Sequence, residues 1–425
     1  MSGLARGDRD LRHNLVALGV DNGLFMVGLS FVSPATILPA FASGLGAPSV
    51  VIGAIPAVLT LGWFMPSLFS AGHIETLPRK LPFVLRWTLL ERLPWLVLAA
   101  AAFFLAGRAP AATLVVLLAV LLLIAGTGGV LIPAWMAIIG ATIPETLRGR
   151  FFGFTHLAAS GLGLAGSFLT AWILASVPTP DAFGWCFLCT TAMVAVSYAA
   201  LATVREPAAG TTAAAVPLRA YLARIPGILR RDRNLAVYLV ARILAIVGSM
   251  SATFFTVYAL RAWGAPTAQA AVFTAFYLAG HMAGTLGLGW LADRAGHRLV
   301  LAAGAAAMLG ANVVALGAAS LAVFHGVFVL YGLQMAAVNV SQFNILLEFA
   351  PEAGARPTYV GLGTTLVAPV SFGAPIAAGL LADALGFLTV FGLAAAAGAG
   401  AVLTFALAVH DPRRARARAL LEPGT

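Results

Sequence analysis

The stretch ATLVVLLAVLLLIAGTGGVLIPAWMAI, residues 112–138, carries no charged side chain over a length that suits a membrane crossing. A helix rises about 1.5 Å per residue, so roughly 20 apolar residues span the ~30 Å hydrocarbon core of a bilayer. Because lipid offers the backbone no hydrogen-bond partner, a segment of this kind must be helical. The fold depends on how often such a segment recurs.

Eleven other segments are also predominantly apolar over about 20 residues. The twelve predicted spans lie near residues 14–40, 49–69, 82–106, 112–138, 151–175, 183–204, 235–260, 268–291, 299–319, 322–347, 358–381 and 387–409. Of the 425 residues, 61% are hydrophobic and 9% charged, against about 25% charged in an ordinary soluble domain. We therefore predict an all-α membrane protein with twelve transmembrane helices in a lipid bilayer.

The positions of the basic residues predict the orientation. If the N-terminus is cytoplasmic, 20 of the 25 Lys and Arg residues fall in cytoplasmic segments, and only Arg108 and Arg261 lie in outside loops. This is the positive-inside pattern. It predicts a multi-pass protein of the cytoplasmic (inner) membrane with both termini in the cytoplasm. It also accounts for the net charge of +10 without a nucleic-acid partner.

The two halves of the chain repeat each other. An offset of 218 residues places LGAP (45–48) on WGAP (263–266), Glu75 on Asp293 and Lys80 on Arg298. Two parallel repeats of six spans imply two pseudo-symmetric six-helix bundles. The predicted parts are an N-terminal bundle (1–204), a cytoplasmic linker (205–234) with an amphipathic helix on the membrane surface, a C-terminal bundle (235–411) and a basic cytoplasmic tail (412–425).

Several motifs resemble the major facilitator superfamily (MFS). GWLADRAGHR (289–298) is similar to the loop signature of that superfamily, with His297 in place of the first basic residue of its closing pair. AGHIETLPRK (71–80) is a degenerate copy without the glycine, and PETLRGR (144–150) and GAPIAAGLLADALGF (373–387) also look like superfamily members. The resemblance implies the MFS fold and alternating access by rocking of the two halves, and leaves the cargo open.

The loop signatures supply the first group of candidate residues. An acidic side chain at the cytoplasmic end of an even-numbered span can cap a neighbouring helix and pair with an Arg, which favours one conformation. The alternative is a loop turn with solvated charges. The candidates for conformational gating are Asp293, Arg294, Arg298, Glu75 and Lys80, together with Glu91 and Arg92 of the third span.

Ionisable groups inside spans are costly and usually functional. Asp21 in the first span is a candidate for proton uptake or substrate contact; the alternatives are a helix-break residue or a fixed ion pair. Arg242 in the seventh span lies one turn from the position equivalent to Asp21. Arg242 has three alternative roles: a salt bridge to Asp21, contact with an anionic substrate, or a side chain that snorkels to the membrane surface. Glu91 and Arg92 are adjacent and point about 100° apart, so they are expected to bond to different helices.

The tenth predicted span is the most polar. Gln334, Ser341, Asn344 and Glu348 share one helical face, and we expect the first three to line a water-filled cavity. His156 and His281 are candidate donors to that cavity, with interhelical hydrogen bonds as the alternative.

The sequence contains no motif typical of an ATP-driven pump or of a membrane-embedded enzyme. No GxxxxGK[ST] or Gly-x-Ser-x-Gly sequence occurs, and Cys186 and Cys189 are interpreted as packed side chains rather than a metal or redox pair. We expect no metal, no cofactor and no enzyme activity. The hypothesis is a monomeric secondary active transporter that moves a small organic solute by alternating access, with efflux, uptake and coupling to protons left open. A non-transporting scaffold or a membrane-embedded enzyme on the same fold is the alternative.

Overall fold

Twelve helices in the computed structural model are long and apolar enough to cross a membrane. The structure describes residues 2–207, 227–351 and 356–411. Within these, spans 1 to 12 are Arg9–Phe31, Ser49–Ser67, Leu81–Leu105, Pro110–Thr142, Glu145–Ser176, Asp181–Ala202, Arg233–Ala262, Gln269–Ala295, His297–Gly317, Leu321–Phe349, Thr358–Leu385 and Phe387–Ala408. The predicted all-α, twelve-span fold is confirmed.

The predicted end of span 1 is wrong. The apolar run continues to residue 40, but the helix ends at Phe31 and a separate helix, Ile37–Gly44, follows. Pro34 lacks a backbone N–H and disfavours the helical conformation of the residue before it, and the helix ends just ahead of this position. The Ser33 carbonyl instead accepts from the backbone N–H groups of Thr36, Ile37 and Leu38 at 3.2, 3.0 and 3.1 Å.

Three spans consist of shorter helices in series. Span 3 comprises Leu81–Trp87, Leu89–Arg92 and Pro94–Ala100, followed by the π-helical turn Ala101–Leu105. Spans 7 and 11 are divided between Gly248 and Ala252 and between Thr365 and Ala368. The second interruption of span 3, at Leu93, and the interruption of span 11 come shortly before a proline, which lacks the donor that a continuous helix needs. The first interruption of span 3 is at Thr88, one turn before Arg92.

The described chain forms two compact units. One comprises Met1–Ala215 with Gly264–Ala275, and the other comprises Val216–Trp263 with Phe276–Thr425. The start of span 8 thus groups with the first unit, where Thr274 Oγ1 lies 2.6 Å from Thr36 Oγ1. Of the predicted linker helix, residues 227–231 are helical, whereas 208–226 and the tail 412–425 lie outside the described residues.

The repeat seen in the sequence has a counterpart in the backbone. Gly46 of LGAP and Gly264 of WGAP both have positive φ, 77° and 58°. Only glycine adopts this region without steric cost, which explains why both copies keep it in the turn before the next helix. The motif therefore marks the same turn in each half.

A pair of asparagines repeats the relation between the first and last span of each half. In the first unit, Asn14 Nδ2 donates to the Arg205 carbonyl at 3.0 Å, and the Arg205 N–H donates to Asn14 Oδ1 at 2.9 Å. In the second unit, Asn234 exchanges the same two bonds with His410, both at 2.8 Å. Each Asn thus ties the chain at the end of the sixth span of its half to the start of the first.

Acidic residues directly after these two junctions approach the start of the third helix of each half. The two oxygens of Glu206 accept from the backbone N–H groups of Lys80 and Leu81, both at 2.8 Å, at the beginning of span 3. Asp411 lies against Gly296, where a Cβ would be 2.7 Å from its Oδ2. Gly296 also has a φ of 89°, so two constraints favour glycine there.

Close helix crossings repeat as well. Gly62 on span 2 packs so tightly against span 4 that a Cβ would lie 2.5 Å from the Ala125 Cβ and 2.7 Å from the Gly126 nitrogen. Gly280, which the 218-residue offset relates to Gly62, packs on the Val329 carbonyl of span 10. Small residues of this kind let membrane helices approach closely.

Candidate functional site

Asp21 lies in a buried polar network in the middle of the first unit. Its Oδ1 accepts from Arg92 Nη2 at 2.9 Å and from Ser197 Oγ at 2.7 Å, and its Oδ2 accepts from Trp135 Nε1 at 3.1 Å. Asp21 is only 3% exposed. The carboxylate therefore joins span 1 to spans 3, 4 and 6 through three donors.

Arg92 has polar partners for all three of its guanidinium nitrogens. Besides the ion pair with Asp21, its Nη1 donates to the Val194 carbonyl at 2.8 Å and to Ser197 Oγ at 2.9 Å. Its Nε donates to Thr88 Oγ1 at 3.0 Å. The charge is buried, but it is paired and hydrogen-bonded, which is the condition under which a buried ion pair is tolerated.

Glu91, the residue next to Arg92, faces a different side of span 3. Its Oε2 accepts from Thr88 Oγ1 at 3.1 Å. A Cβ on Gly128 of span 4 would lie 2.7 Å from Glu91 Oε1 and 3.3 Å from Trp63 Nε1. No Lys or Arg nitrogen of the described residues lies within 4 Å of this carboxylate. The two neighbours in sequence thus reach different helices, but only Arg92 has a partner of opposite charge.

Arg242 in span 7 is half-buried in the second unit. Its Nη2 donates to Gln342 Oε1 of span 10 at 3.2 Å. Among the described residues no carboxylate lies within 4 Å of its guanidinium. Asp21 pairs with Arg92 of its own unit.

Gln334 and Arg242 line a cavity between spans 7, 9, 10 and 12, with about 330 Å³ of empty space that is partly open to the surroundings. Gln334 is 7% exposed, and its Nε2 donates to Ser249 Oγ at 3.4 Å. Its Oε1 is buried without a hydrogen-bond partner among the described residues. The rest of the lining is apolar or glycine.

The other members of the predicted polar stripe have different surroundings. Ser341 is fully buried, with its Oγ 3.1 Å from His297 Nδ1 at the start of span 9. The other ring nitrogen of His297 lies 3.7 Å from Glu348 Oε1. Asn344 is exposed and donates to the carbonyl of Val340 in its own helix at 2.8 Å. The members of the stripe therefore have different surroundings: Gln334 lines the cavity with Arg242, Ser341 contacts His297, and Asn344 is exposed.

The two histidine candidates lie in different units. His281 Nε2 is 3.0 Å from Asn339 Nδ2, which links spans 8 and 10. This contact matches the interhelical alternative. His156 in span 5 is half-buried, and its ring centroid lies 6.2 Å from that of Phe152.

The gating candidates of the second unit surround the end of span 8. Asp293 is exposed and makes no hydrogen bond or ion pair within the described chain. Arg294 stacks on Trp290 with its guanidinium carbon 4.2 Å from the ring centroid. Arg298 Nη1 donates to the Val409 carbonyl at 2.8 Å, at the end of span 12. A basic side chain is well placed there, because the last carbonyls of a helix carry partial negative charge.

In the first unit, the side chain of Glu75 lies outside the described residues. Lys80 is 8% exposed, and its backbone N–H is held by Glu206.

Several residues of the site and of the helix ends were not predicted from the sequence. They are Ser197, Thr88 and Gln342 in the networks, and Asn14, Asn234, Glu206 and Asp411 at the helix ends. A sequence signal existed for the last two, since Arg-Glu-Pro at 205–207 and His-Asp-Pro at 410–412 follow spans 6 and 12.

Comparison with solved structures places this architecture in a known fold. A mutant of the nucleoside transporter NupG superposes with a TM-score of 0.72 at 13% identity, over 92% of this chain and 98% of that one. A D-xylose-proton symporter gives 0.68 at 14% identity, over 94% and 98%. The human organic anion transporter MFSD10 gives 0.62 at 14% identity, over 93% and 99%. No protein-family model matches the sequence, and no curated protein matches it significantly.

These likenesses confirm the resemblance at the level of the fold. The chain has the fold of the major facilitator superfamily, with two six-helix repeats. At 12 to 17% identity they carry no information on cargo.

Proposed function

We propose that the chain is a monomeric secondary transporter of a small organic solute in the cytoplasmic membrane. It works by alternating access, with both termini in the cytoplasm, and it couples solute movement to protons. The fold supports transport, and one of its structural neighbours is described as a D-xylose-proton symporter. The observation that carries the proposal is the cluster of Asp21, Arg92 and Glu91, which places three ionisable groups inside the spans.

Within this cluster the three side chains divide two tasks. Asp21 and Arg92 neutralise each other and join four spans, so the pair has a structural role. Separating them would leave a charge buried without a partner, which is strongly unfavourable. This is the fixed ion pair among the alternatives for Asp21. A proton on Asp21 would weaken the contact that holds Arg92.

Glu91 is the better proton carrier. Its neighbours are a hydroxyl, an indole and a glycine, and the one adjacent cation, Arg92, directs its guanidinium to Asp21. Span 4, which packs against this part of span 3, contains no ionisable side chain. A carboxylate in such surroundings favours the neutral form when it is dry and ionises when water reaches it. A conformational change that hydrates Glu91 would therefore release a proton.

The test is proton flux in proteoliposomes, measured with a pH-sensitive dye, during a screen of amphipathic drugs, sugars and organic acids. Wild type is compared with Glu91→Gln, which preserves shape and hydrogen bonding, and with Asp21→Asn. A transported compound is expected to drive proton movement in wild type. In Glu91→Gln the compound should still equilibrate while proton movement is lost. Asp21→Asn should lower stability in detergent.

The outcomes separate the parts of the proposal. Solute-driven proton movement that survives in Glu91→Gln would reject Glu91 as the carrier, and its loss in Asp21→Asn alone would assign the proton to Asp21. A solute that crosses without any proton movement would reject coupling. Failure of every solute to cross would favour the scaffold alternative.

A further inference from the structure

Arg92 and Arg242, which both lie inside spans, differ in their charge compensation. Arg92 has Asp21 at 2.9 Å, with side chains 7% and 4% exposed. Arg242 has only the neutral Gln342 Oε1, at 3.2 Å. A guanidinium offers five N–H donors, and one hydrogen bond leaves most of them unused. The second unit thus contains a fixed positive charge for which the described residues supply no anion.

The depth of Arg242 argues against a side chain that merely reaches the membrane surface. Arg242 is the tenth residue of span 7, about 14 Å along the helix from Arg233. Its side chain lines a cavity bounded by three other spans, so it faces the interior of the bundle rather than lipid. A cation in that position is retained only where something compensates it.

Gln334 contributes to the same cavity a buried amide oxygen that has no hydrogen-bond donor among the described residues. Ser249 Oγ donates to the Ala245 carbonyl at 2.9 Å, so it can only accept from Gln334. This fixes the Gln334 amide with Nε2 toward Ser249 and Oε1 as the acceptor without a partner. A buried acceptor of this kind is destabilising when nothing donates to it.

From these observations we infer that the solute is a small organic carboxylate that carries a hydroxyl group, with its carboxylate bound by Arg242 and its hydroxyl donating to Gln334. Gln342 holds the guanidinium in place as a positioning residue. The cavity is too narrow for such a solute in this conformation, so the solute enters when the surrounding spans open. The inference rests on the proposed transport function and specifies its substrate class.

The ligand chemistry can be tested on the unmodified protein. Purified full-length protein is titrated with lactate, glycolate and glycerate, each against its own primary amide, and with propionate as the carboxylate without a hydroxyl. Tryptophan fluorescence and thermal stability report binding. We expect at least one hydroxycarboxylate to bind about tenfold or more tightly than its amide, because hydrogen bonds to a charged group contribute about 1.5–3 kcal/mol. Equal or weaker binding of every carboxylate than of its amide would overturn the inference.

Variants then test which residue binds the carboxylate and which accepts from the hydroxyl. Arg242→Gln should abolish the preference for carboxylate over amide, and Arg242→Lys should retain part of it, since lysine keeps the charge but not the planar fork. Gln334→Leu should reduce the preference for lactate over propionate and leave that for carboxylate over amide. The matched control is Arg231→Gln, which removes an exposed cytoplasmic arginine and should change neither preference. An unchanged carboxylate preference in Arg242→Gln would overturn the assignment of carboxylate binding to Arg242. If Arg242→Gln does not fold, an unchanged preference in Arg242→Lys would overturn the same assignment.

Transport measurements separate this inference from the proposed function. If neutral solutes cross with protons and Arg242→Gln leaves their uptake unchanged, the substrate class is wrong while transport stands. If carboxylates bind with the expected preference but no solute crosses, the binding site stands and the transport function fails.

Discussion

The Asp21–Arg92 pair allows a sharp prediction about stability. Replacing Asp21 with Ala removes three accepted hydrogen bonds, at 2.9, 2.7 and 3.1 Å, and leaves the guanidinium in a site where Arg92 is 6% exposed. Breaking a buried pair from one side costs about 3–5 kcal/mol. Arg92 keeps neutral acceptors on Thr88, Val194 and Ser197, which places the expected loss near the lower end, about 3 kcal/mol.

The assay is the free energy of unfolding in mixed micelles of a mild detergent and sodium dodecyl sulfate, followed by tryptophan fluorescence. A double variant, Asp21→Ala with Arg92→Met, removes both charges and fills part of the space. Its loss should be smaller than the sum of the two single losses by roughly 0.5–3 kcal/mol, the range for directly interacting residues. A thermodynamic cycle over the four proteins gives this coupling directly.

The chain offers a matched control on the same helix. Asp10 pairs with Arg205 at 2.6 Å, but the two side chains are 38% and 58% exposed. Exposed pairs contribute about 0–1 kcal/mol, so Asp10→Ala should lose less than about 1 kcal/mol. The reasoning would be refuted if Asp21→Ala were as stable as Asp10→Ala, or if the Asp21 and Arg92 effects were additive.

Two further predictions concern the helix contacts. Gly280→Val should lower unfolding free energy by about 1–3 kcal/mol, since its side chain would overlap the Val329 carbonyl, whereas Gly287→Val in the same span meets nothing within 4 Å and should change thermal stability little. Asn234→Ala should cost about 1–3 kcal/mol, because it removes both hydrogen bonds to His410, and hydrogen exchange should rise at the end of span 12. Equal effects of the two valine variants, or unchanged exchange in Asn234→Ala, would contradict these explanations.

Much of the fold is readable from the sequence because the bilayer imposes strict requirements on any segment that crosses it. Apolar length alone located twelve spans, and the glycine shared by LGAP and WGAP marked a turn with positive φ in both halves. The error at the end of span 1 arose because the apolar run continues past Pro34, whereas the helix ends at Phe31. Hydrophobicity finds the membrane segment, whereas backbone donors decide where its helix stops.

The candidate site was predicted only in part. Sequence singled out Asp21, Glu91, Arg92 and Arg242 because charges are rare and costly in spans. It did not reveal which of them form pairs. The 218-residue offset suggested Arg242 as a partner for Asp21, but the structure shows Arg92, which comes from a neighbouring helix of the same unit.

The sequence alone therefore predicts the class of fold, the number of spans, the internal repeat and the set of side chains too costly to be incidental. These follow from local properties such as apolar length, charge and the backbone freedom of glycine. The packing of the helices determines that Asp21 is compensated, that no group of opposite charge lies within 4 Å of Glu91 or Arg242 among the described residues, and that Gln334 keeps an unused acceptor. Those properties depend on which atoms of distant segments come within about 3 Å of each other, and helix packing sets that distance.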